Sequence, residues 1–145
     1  MKNIILIIFS IFVISACSST AKFGNFSTEI EDNHMIVDVL ALDITKQITT
    51  SYIPAKTKFQ FTHDSSDNLG QFLGQELRLK GFAVGEYKVN ETQDGHKLSY
   101  IVDHFSPTKL LVRIYIDNKT MSRLYNVEQN KASPSGLWSI STMEL

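Results

Sequence analysis

The spacing of apolar side chains predicts two amphipathic helices in the first half of the chain. Over residues 31–49, apolar residues recur at i, i+3 and i+4, which places them on one face of a helix, although the same density of Ile and Val would also suit a strand. Asp32 or Asn33 can cap this helix. A second helix follows several N-cap candidates at residues 65–68 and ends at Gly81, which can take a left-handed conformation. The predicted buried positions are Val37, Leu40, Ala41, Ile44 and Ile48 in the first helix and Leu69, Phe72, Leu73 and Leu77 in the second.

Alternation of apolar and polar residues predicts strands in the rest of the chain. Residues 57–61 alternate with Phe59 and Phe61 inward, and the other predicted strands cover residues 82–89, 97–105, 109–116, 120–127 and 136–142. Most of the links between these strands are short, which favours antiparallel hairpins, while residues 128–135 are predicted to form a loop. The predicted fold is therefore α+β in the order α-β-α-β-β-β-β, with two helices packed on one face of a small, mostly antiparallel sheet.

Two glycines lie four residues apart in the second predicted helix. Gly70 and Gly74 would each weaken an isolated helix by about 1 kcal/mol relative to alanine. We interpret them as positions where the helix packs closely on the sheet, the alternative being close approach of a ligand.

Residues 1–16 have the layout of a bacterial lipoprotein signal peptide. Lys2 precedes an apolar run over residues 4–14, which is shorter than the roughly 20 residues that a membrane-spanning helix needs. Ile14-Ser15-Ala16-Cys17 then matches a lipobox, in which an aliphatic and two small residues precede the lipidated cysteine. Cys17 is the only cysteine, so it has no disulfide partner in the chain. We expect that the chain is cleaved before Cys17 and that Cys17 is acylated. The alternative is an ordinary signal peptide or an uncleaved anchor.

Residues 17–30 are predicted to be a lipidated N-terminus and a flexible tether, because most of the residues after the cysteine are small or polar. The position after Cys17 is Ser18 rather than aspartate, which by the usual sorting rule of two-membrane bacteria favours the outer membrane. Phe23 and Phe26 are unusual in a linker, and either fold back on the domain or dock into a partner. Residues 31–145 are then predicted to form a single domain that faces the periplasm.

The charge balance excludes some classes of partner. The chain carries 14 Lys and Arg against 15 Asp and Glu, with a formal net charge of −1. This balance lacks the basic stripe of nucleic-acid-binding proteins, so no direct contact with nucleic acid is expected. No second apolar segment approaches eighteen residues, so membrane attachment is expected through the lipid alone.

Residue types that support catalysis are present without the spacing that catalysis needs. None of the four histidines pairs with another at i+3 or i+4, and no Cys-x-x-Cys or His-Glu-x-x-His motif occurs, so neither a metal nor a cofactor is expected. His63-Asp64-Ser65 contains the residue types of a hydrolytic triad, but no Gly-x-Ser-x-Gly elbow holds the serine, and helix capping is the expected role. Asp103-His104 is interpreted as a solvated pair. The sequence predicts a protein that is not an enzyme and has no small-molecule substrate.

Aromatic and arginine side chains provide the candidates for partner binding. Trp138 is the only tryptophan, and Trp and Tyr are enriched at binding hot spots, with core packing as the alternative. Arg113 and Tyr115 come from one predicted strand, and Arg123 and Tyr125 from its predicted neighbour. These four are predicted to form an exposed Arg/Tyr face, the alternative being an ordinary solvent face of a sheet.

Several segments, in order along most of the chain after the signal peptide, together resemble the TrbH conjugal-transfer lipoproteins. They are Phe23–Phe26, Pro54–Phe59, Leu69–Arg78, Lys80–Val84, Leu98–Asp103, Ser122–Tyr125 and Pro134–Ser139. The resemblance implies a non-enzymatic component of mating-pair formation in a type IV secretion system, held at the outer membrane beside other envelope subunits. It brings no catalytic residues. The alternatives are a pilotin-like or assembly lipoprotein of another envelope machine, and a periplasmic hydrolase or small-ligand binder.

Overall fold

The computed structural model describes residue 30, residues 33–89 and residues 94–143. Within these ranges the chain forms two helices, six strands and one 3-10 turn, Pro54–Lys56, which lies between the first helix and the first strand. The elements are α1 (His34–Ser51), β1 (Lys58–Phe61), α2 (Asn68–Leu79), β2 (Ala83–Gly85), β3 (His96–Ser106), β4 (Lys109–Ile116), β5 (Lys119–Glu128) and β6 (Lys131–Thr142). The strands form one sheet in the order β2-β1-β3-β4-β5-β6. The predicted α+β class is confirmed, and the six strands correspond to the six predicted strand segments, one more than the order α-β-α-β-β-β-β counts.

Helix α1 follows the apolar periodicity of its sequence. Asn33 is its N-cap, and the Asn33 side chain accepts a hydrogen bond from the backbone N–H of Ile36 at 3.4 Å. All five predicted buried positions of this helix are buried. The helix ends at Tyr52, which is extended, two residues before Pro54. The residue preceding a proline is biased away from helical geometry, so the chain leaves the helix here.

Helix α2 is bounded by two specific capping arrangements. At its start the Asp67 carboxylate accepts a hydrogen bond from the Gly70 N–H at 2.9 Å. At its end Gly81 has φ = +90°, the Phe82 N–H donates to the Leu77 carbonyl at 3.0 Å, and the Gly81 N–H donates to the Arg78 carbonyl at 2.9 Å. These two bonds form a Schellman motif, which confirms the predicted left-handed glycine at the helix end.

The sheet is mostly antiparallel, as predicted, but the expected hairpin between residues 82–89 and 97–105 is wrong. Strands β3 to β6 are antiparallel neighbours in chain order, as expected. However, β1 lies between β2 and β3 and is parallel to both. The helix α2 connects β1 to β2, and a helical crossover returns the chain parallel to the strand it left. Residues 82–89 and 97–105 are therefore not hairpin partners, and β2 is only three residues long.

The last strand begins earlier than predicted. Residues 131–135 belong to β6 and pair with β5, whereas we expected a loop there. The reversal needs only Gln129 and Asn130, which have φ = +48° and +63°. Positive φ at both central residues of a two-residue turn matches the twist of the flanking strands. Pro134 signals a loop in the sequence, but β6 is an edge strand, where a proline is tolerated.

The core lies between the helices and one face of the sheet. It contains the apolar faces of both helices and alternate residues of the strands, including Phe59, Phe61, Tyr100 and Ile114. Gly70 packs so closely that a Cβ there would lie 2.5 Å from the Tyr100 hydroxyl and from the Ser65 carbonyl oxygen. A helix can approach the sheet this closely only without that side chain, which supports the packing interpretation of this glycine.

Candidate functional site: the faces of the sheet and the polar loop

The four predicted Arg and Tyr residues do not share a face. Arg113 lies opposite Ser122 and Tyr115 opposite Thr120, whereas Arg123 pairs with Val112 and Tyr125 with Leu110. Because directly paired residues of antiparallel strands point to the same side, Arg123 and Tyr125 lie on the helix-covered face with the buried residues of β4. Arg113 and Tyr115 lie on the opposite face. The prediction of one exposed Arg/Tyr face is therefore wrong, since the odd-numbered residues of β4 and β5 point to opposite sides.

Arg123 and Tyr125 instead converge on Asp43 of α1. Arg123 Nη1 lies 3.0 Å and 2.8 Å from the two carboxylate oxygens of Asp43, and the Tyr125 hydroxyl donates to Oδ2 at 2.6 Å. The arginine and aspartate side chains are each 17% exposed, and Tyr125 is buried. Burial, followed by the hydrogen bond to Asp43, raises the pKa of Tyr125 well above its usual range. We call Asp43, Arg123 and Tyr125 the polar clamp, because it joins α1 to β5.

The polar clamp extends to β6. The Nε and Nη2 groups of Arg123 donate to the Gly136 carbonyl at 3.0 Å and 2.8 Å. The Arg123 guanidinium also lies 5.9 Å from the centre of the Trp138 ring, within the range of a cation–π contact. Trp138 is partly buried and packs against the core. Trp138 therefore packs partly against the core, as the alternative in the sequence analysis expected.

The clamp residue that the sequence analysis missed is Asp43. It borders the buried face of α1, between Ala41 and Ile44. A carboxylate beside an apolar stripe is rarely buried without a partner, which is the one signal that the sequence offered. Its partners lie 80 and 82 residues further along the chain, where no local pattern points to them.

The face of the sheet opposite the helices carries the candidates that remain at the surface. Arg113 Nη1 forms an ion pair with Asp103 Oδ2 at 2.8 Å, and both groups are substantially exposed. Around them lie the half-buried side chains of Ile101 and Leu111, together with Tyr115. Mixed apolar, aromatic and arginine composition is typical of protein-binding surfaces.

The residues with triad chemistry do not form a triad. Asp64 accepts hydrogen bonds from the backbone N–H and the hydroxyl of Ser66, both at 3.0 Å. Both ring nitrogens of His63 are buried, and neither has a hydrogen-bond partner in the described part of the chain. The His63 ring packs edge-on against Tyr100, with centroids 4.7 Å apart, and burial lowers its pKa. A general base must reach the hydroxyl that it activates, and His63 does not.

The N-cap of α2 is Asp67, one of the candidates predicted at residues 65–68, and it lies outside the His63–Ser65 segment that was expected to cap the helix. The second carboxylate oxygen of Asp67 accepts from the Tyr100 hydroxyl at 2.5 Å. Residues 63–65 therefore neither cap the helix nor assemble a nucleophile.

A groove of about 730 Å³ lies between this loop, α2 and the residues after β2. Some of its polar side chains have partners: Arg78 Nη2 lies 3.4 Å from Glu86 Oε1, and the Gln71 amide donates to the Ser66 carbonyl at 2.6 Å. Among the described residues, no group of three or more His, Cys, Asp and Glu side chains is placed to hold a metal ion. The groove has room for a polar segment of another chain.

Three candidate residues fall outside the described ranges. They are the predicted lipidation site Cys17 and the tether residues Phe23 and Phe26. In the described part of the chain, no helix is long and apolar enough to cross a membrane.

Comparisons with known proteins relate the chain to a family of conjugal transfer proteins. No curated protein and no solved structure matches the chain. The family model described as conjugal transfer protein TrbH matches residues 20–144, which covers most of the chain and all of the described residues. The chain therefore belongs to the TrbH family of conjugal transfer proteins.

Proposed function

We propose that this protein is an outer-membrane-anchored lipoprotein that acts as a structural component of the type IV secretion apparatus used in conjugal transfer. The observation that carries the proposal is the TrbH family match over residues 20–144, directly after the lipobox Ile14–Cys17. The partners would be other envelope subunits of that apparatus, and the folded domain would face the periplasm.

The anchoring part of the proposal rests on the chemistry of Cys17. Each buried CH₂ of an acyl chain adds about 0.8 kcal/mol of membrane affinity, and one chain alone binds only marginally. A lipoprotein cysteine carries a diacylglyceryl group and an N-acyl chain, which exceeds the two signals that stable anchoring needs. With a net charge of −1, the chain has little electrostatic attraction to an anionic surface, so the lipid would supply the attachment.

The non-enzymatic part rests on the loop before α2. His63 has no contact with a serine hydroxyl, Asp64 is engaged by Ser66, and Asp67 serves the helix cap. The arrangement favours a packing and capping role. The candidates for partner binding that stay at the surface are Arg113 and Tyr115.

The anchor is tested with Cys17→Ser in a strain that depends on this protein for conjugation. We expect loss of palmitate labelling, loss of outer-membrane recovery and a fall in transfer efficiency, because the folded domain is no longer held where it works. Ser19→Ala is the matched control and should behave as wild type. Undiminished labelling, or outer-membrane recovery of Cys17→Ser equal to wild type, contradicts the anchor assignment.

The outer-membrane destination is tested separately with Ser18→Asp, which leaves the lipidated cysteine in place. Labelled protein should then move to the inner membrane and transfer should fall. Retention at the outer membrane would reject the role given to Ser18.

The non-enzymatic role is tested by replacing His63, Asp64 and Ser65 together with alanine. Because Asp67 provides the helix cap, this variant should fold and support transfer near the wild-type level. A variant that folds and localises normally but is inactive would contradict the proposal.

A further inference from the structure

The edge strand β6 is long and unprotected against pairing with another chain. In the described part of the chain, no strand pairs with its outer side. Natural proteins protect such edges with charged residues, prolines, β-bulges or very short strands. Pro134 and the bulge opposite Arg123 interrupt the first part of β6. Residues 139–142 follow the bulge, pair regularly with β5 and contain neither a proline nor a charged residue. This last part of the strand has none of these protections.

The opposite edge of the same sheet is protected. Its strand β2 is only three residues long. The Ala83 N–H donates to the Thr57 carbonyl, so Ala83 faces β1 and the next residue, Val84, faces outward. The outward Val84 carbonyl accepts a hydrogen bond from Arg78 Nη2 at 3.3 Å, which places a cation across that edge. The contrast marks β6 as the edge available for pairing.

The register of β6 fixes which of its backbone groups point outward. The Met143 N–H donates to the Asn118 carbonyl at 2.9 Å, so residue 143 faces β5. Along an antiparallel strand, the N–H and C=O groups of successive residues alternate between the two neighbours. Ser139 and Ser141 therefore also face β5, while the backbone groups of Ile140 and Thr142 point to the open edge.

We propose that residues 137–143 pair antiparallel with the same residues of a second copy of this chain, about a two-fold axis at Ile140. In this register Ile140 lies opposite its own copy, Trp138 opposite Thr142, and Leu137 opposite Met143. The residues with outward backbone groups then form the hydrogen-bonded pairs of the new ladder. The two sheets continue into one of twelve strands, built from the six of each copy.

The side chains of this segment suit a second copy as the occupant. Leu137 is 92% exposed and Ile140 is 51% exposed, large values for apolar residues on a structured strand. The two-fold register places Ile140 opposite Ile140 and Leu137 opposite Met143, and it opposes no like charges, which would destabilise the pairing. A two-fold interface requires a surface complementary to itself, and this segment has that property. The inference does not depend on the lipid anchor or on the role in transfer.

The test measures the mass of the full-length protein, solubilised in a mild detergent, by native mass spectrometry over a range of micromolar concentrations. We expect a dimer for wild type. Ile140→Lys places two ammonium groups opposite each other and should raise the dissociation constant by roughly tenfold or more. The matched control is Ile53→Lys, because Ile53 is 62% exposed but lies away from the edge. This control should remain dimeric, and circular dichroism should show that both variants fold.

A cysteine placed on the axis provides an independent measurement. Under mild oxidation, Ile140→Cys should form an intermolecular disulfide in about the same fraction of the protein as is dimeric in wild type. The disulfide-linked fraction of Ile53→Cys should not exceed that of wild type, in which Cys17 is the only cysteine. Paired residues across antiparallel strands have Cα–Cα distances that a disulfide can span. A monomeric wild-type protein, including one whose own N-terminal tether covers the edge, overturns the proposal. So does a dimer that Ile140→Lys leaves unchanged.

Discussion

Removing the carboxylate of Asp43 should destabilise the domain far more than removing a surface carboxylate with the same ion-pair chemistry. Asp43 accepts from both Arg123 and Tyr125, so Asp43→Ala leaves two donors on the inner face of the sheet without that partner. Truncating one side of a buried charge pair is costly chiefly because the remaining groups stay desolvated.

The magnitude follows from the groups left behind. The buried Tyr125 hydroxyl would lose its acceptor, at about 1–3 kcal/mol, and the Arg123 guanidinium would lose a charged bond, at about 1.5–3 kcal/mol. These values do not add fully, because Arg123 is 17% exposed and keeps the Gly136 carbonyl as an acceptor. We expect a loss of about 3 kcal/mol in the free energy of unfolding, which for a domain of this size lowers Tm by about 10 °C.

The measurement is urea and thermal unfolding of Asp43→Ala beside Asp103→Ala. The control breaks the Arg113–Asp103 pair, which has the same 2.8 Å Nη1–Oδ2 distance but is substantially exposed, so it should cost below about 1 kcal/mol. Tyr125→Phe in the Asp43→Ala background removes the orphaned hydroxyl and should cost less than the same change in wild type. Equal losses for the two aspartate variants would refute the reasoning.

Two further predictions concern the ends of α2. Gly81→Val forces a β-branched residue into φ = +90° and should lower the free energy of unfolding by more than about 1 kcal/mol. Gly81→Asn should lower it less, because asparagine tolerates this region. Equal Tm values for the two variants would contradict the Schellman motif at the end of α2. Burial lowers the pKa of His63, so the stability from its neutral ring is complete above the ordinary pKa of about 6.5 and falls as pH decreases through that value. His63→Phe should therefore reduce the fall of Tm between about pH 7.5 and 5, while His34→Gln, which keeps His63, should show the same fall as wild type. If His63→Phe shows the same pH dependence of Tm as wild type, the assignment of this fall to His63 is wrong.

The local elements were predictable because their signals lie close together in the chain. The N-cap and C-cap of α2 and the apolar face of α1 each depend on residues within a few positions of one another. The antiparallel order β3 to β6 followed from short links in the same way. The parallel position of β1 between β2 and β3 was missed, because it depends on how the chain crosses the sheet after β2 rather than on any residue pattern.

The composition of the polar clamp could not be predicted for a related reason. In the sequence, Arg113-Ile114-Tyr115 and Arg123-Leu124-Tyr125 have the same pattern, so each pair was assigned to the same kind of face. Which face a residue takes depends on the register across the turn at Asp117, where a shift by one residue exchanges the two sides. The two-residue turn at Asp117 and Asn118 pairs Ile116 with Lys119, and this register sends Arg123 toward α1 and Arg113 away from it.

The same register links the clamp to the open edge. Arg123 reaches the Gly136 carbonyl at the irregularity where β6 departs from regular pairing with β5. A bulge bends an edge strand locally, and here the arginine holds it from the inner face. Beyond it, residues 139–142 regain regular pairing with β5, so their outward groups are in strand geometry. Asp43 therefore supports more than the contact between α1 and β5, because it holds the arginine that bonds to the bulge of β6 at Gly136. If β6 pairs with a second copy, Asp43→Ala should weaken the dimer as well as the fold, even under conditions where the domain remains folded, although Asp43 lies outside the pairing segment.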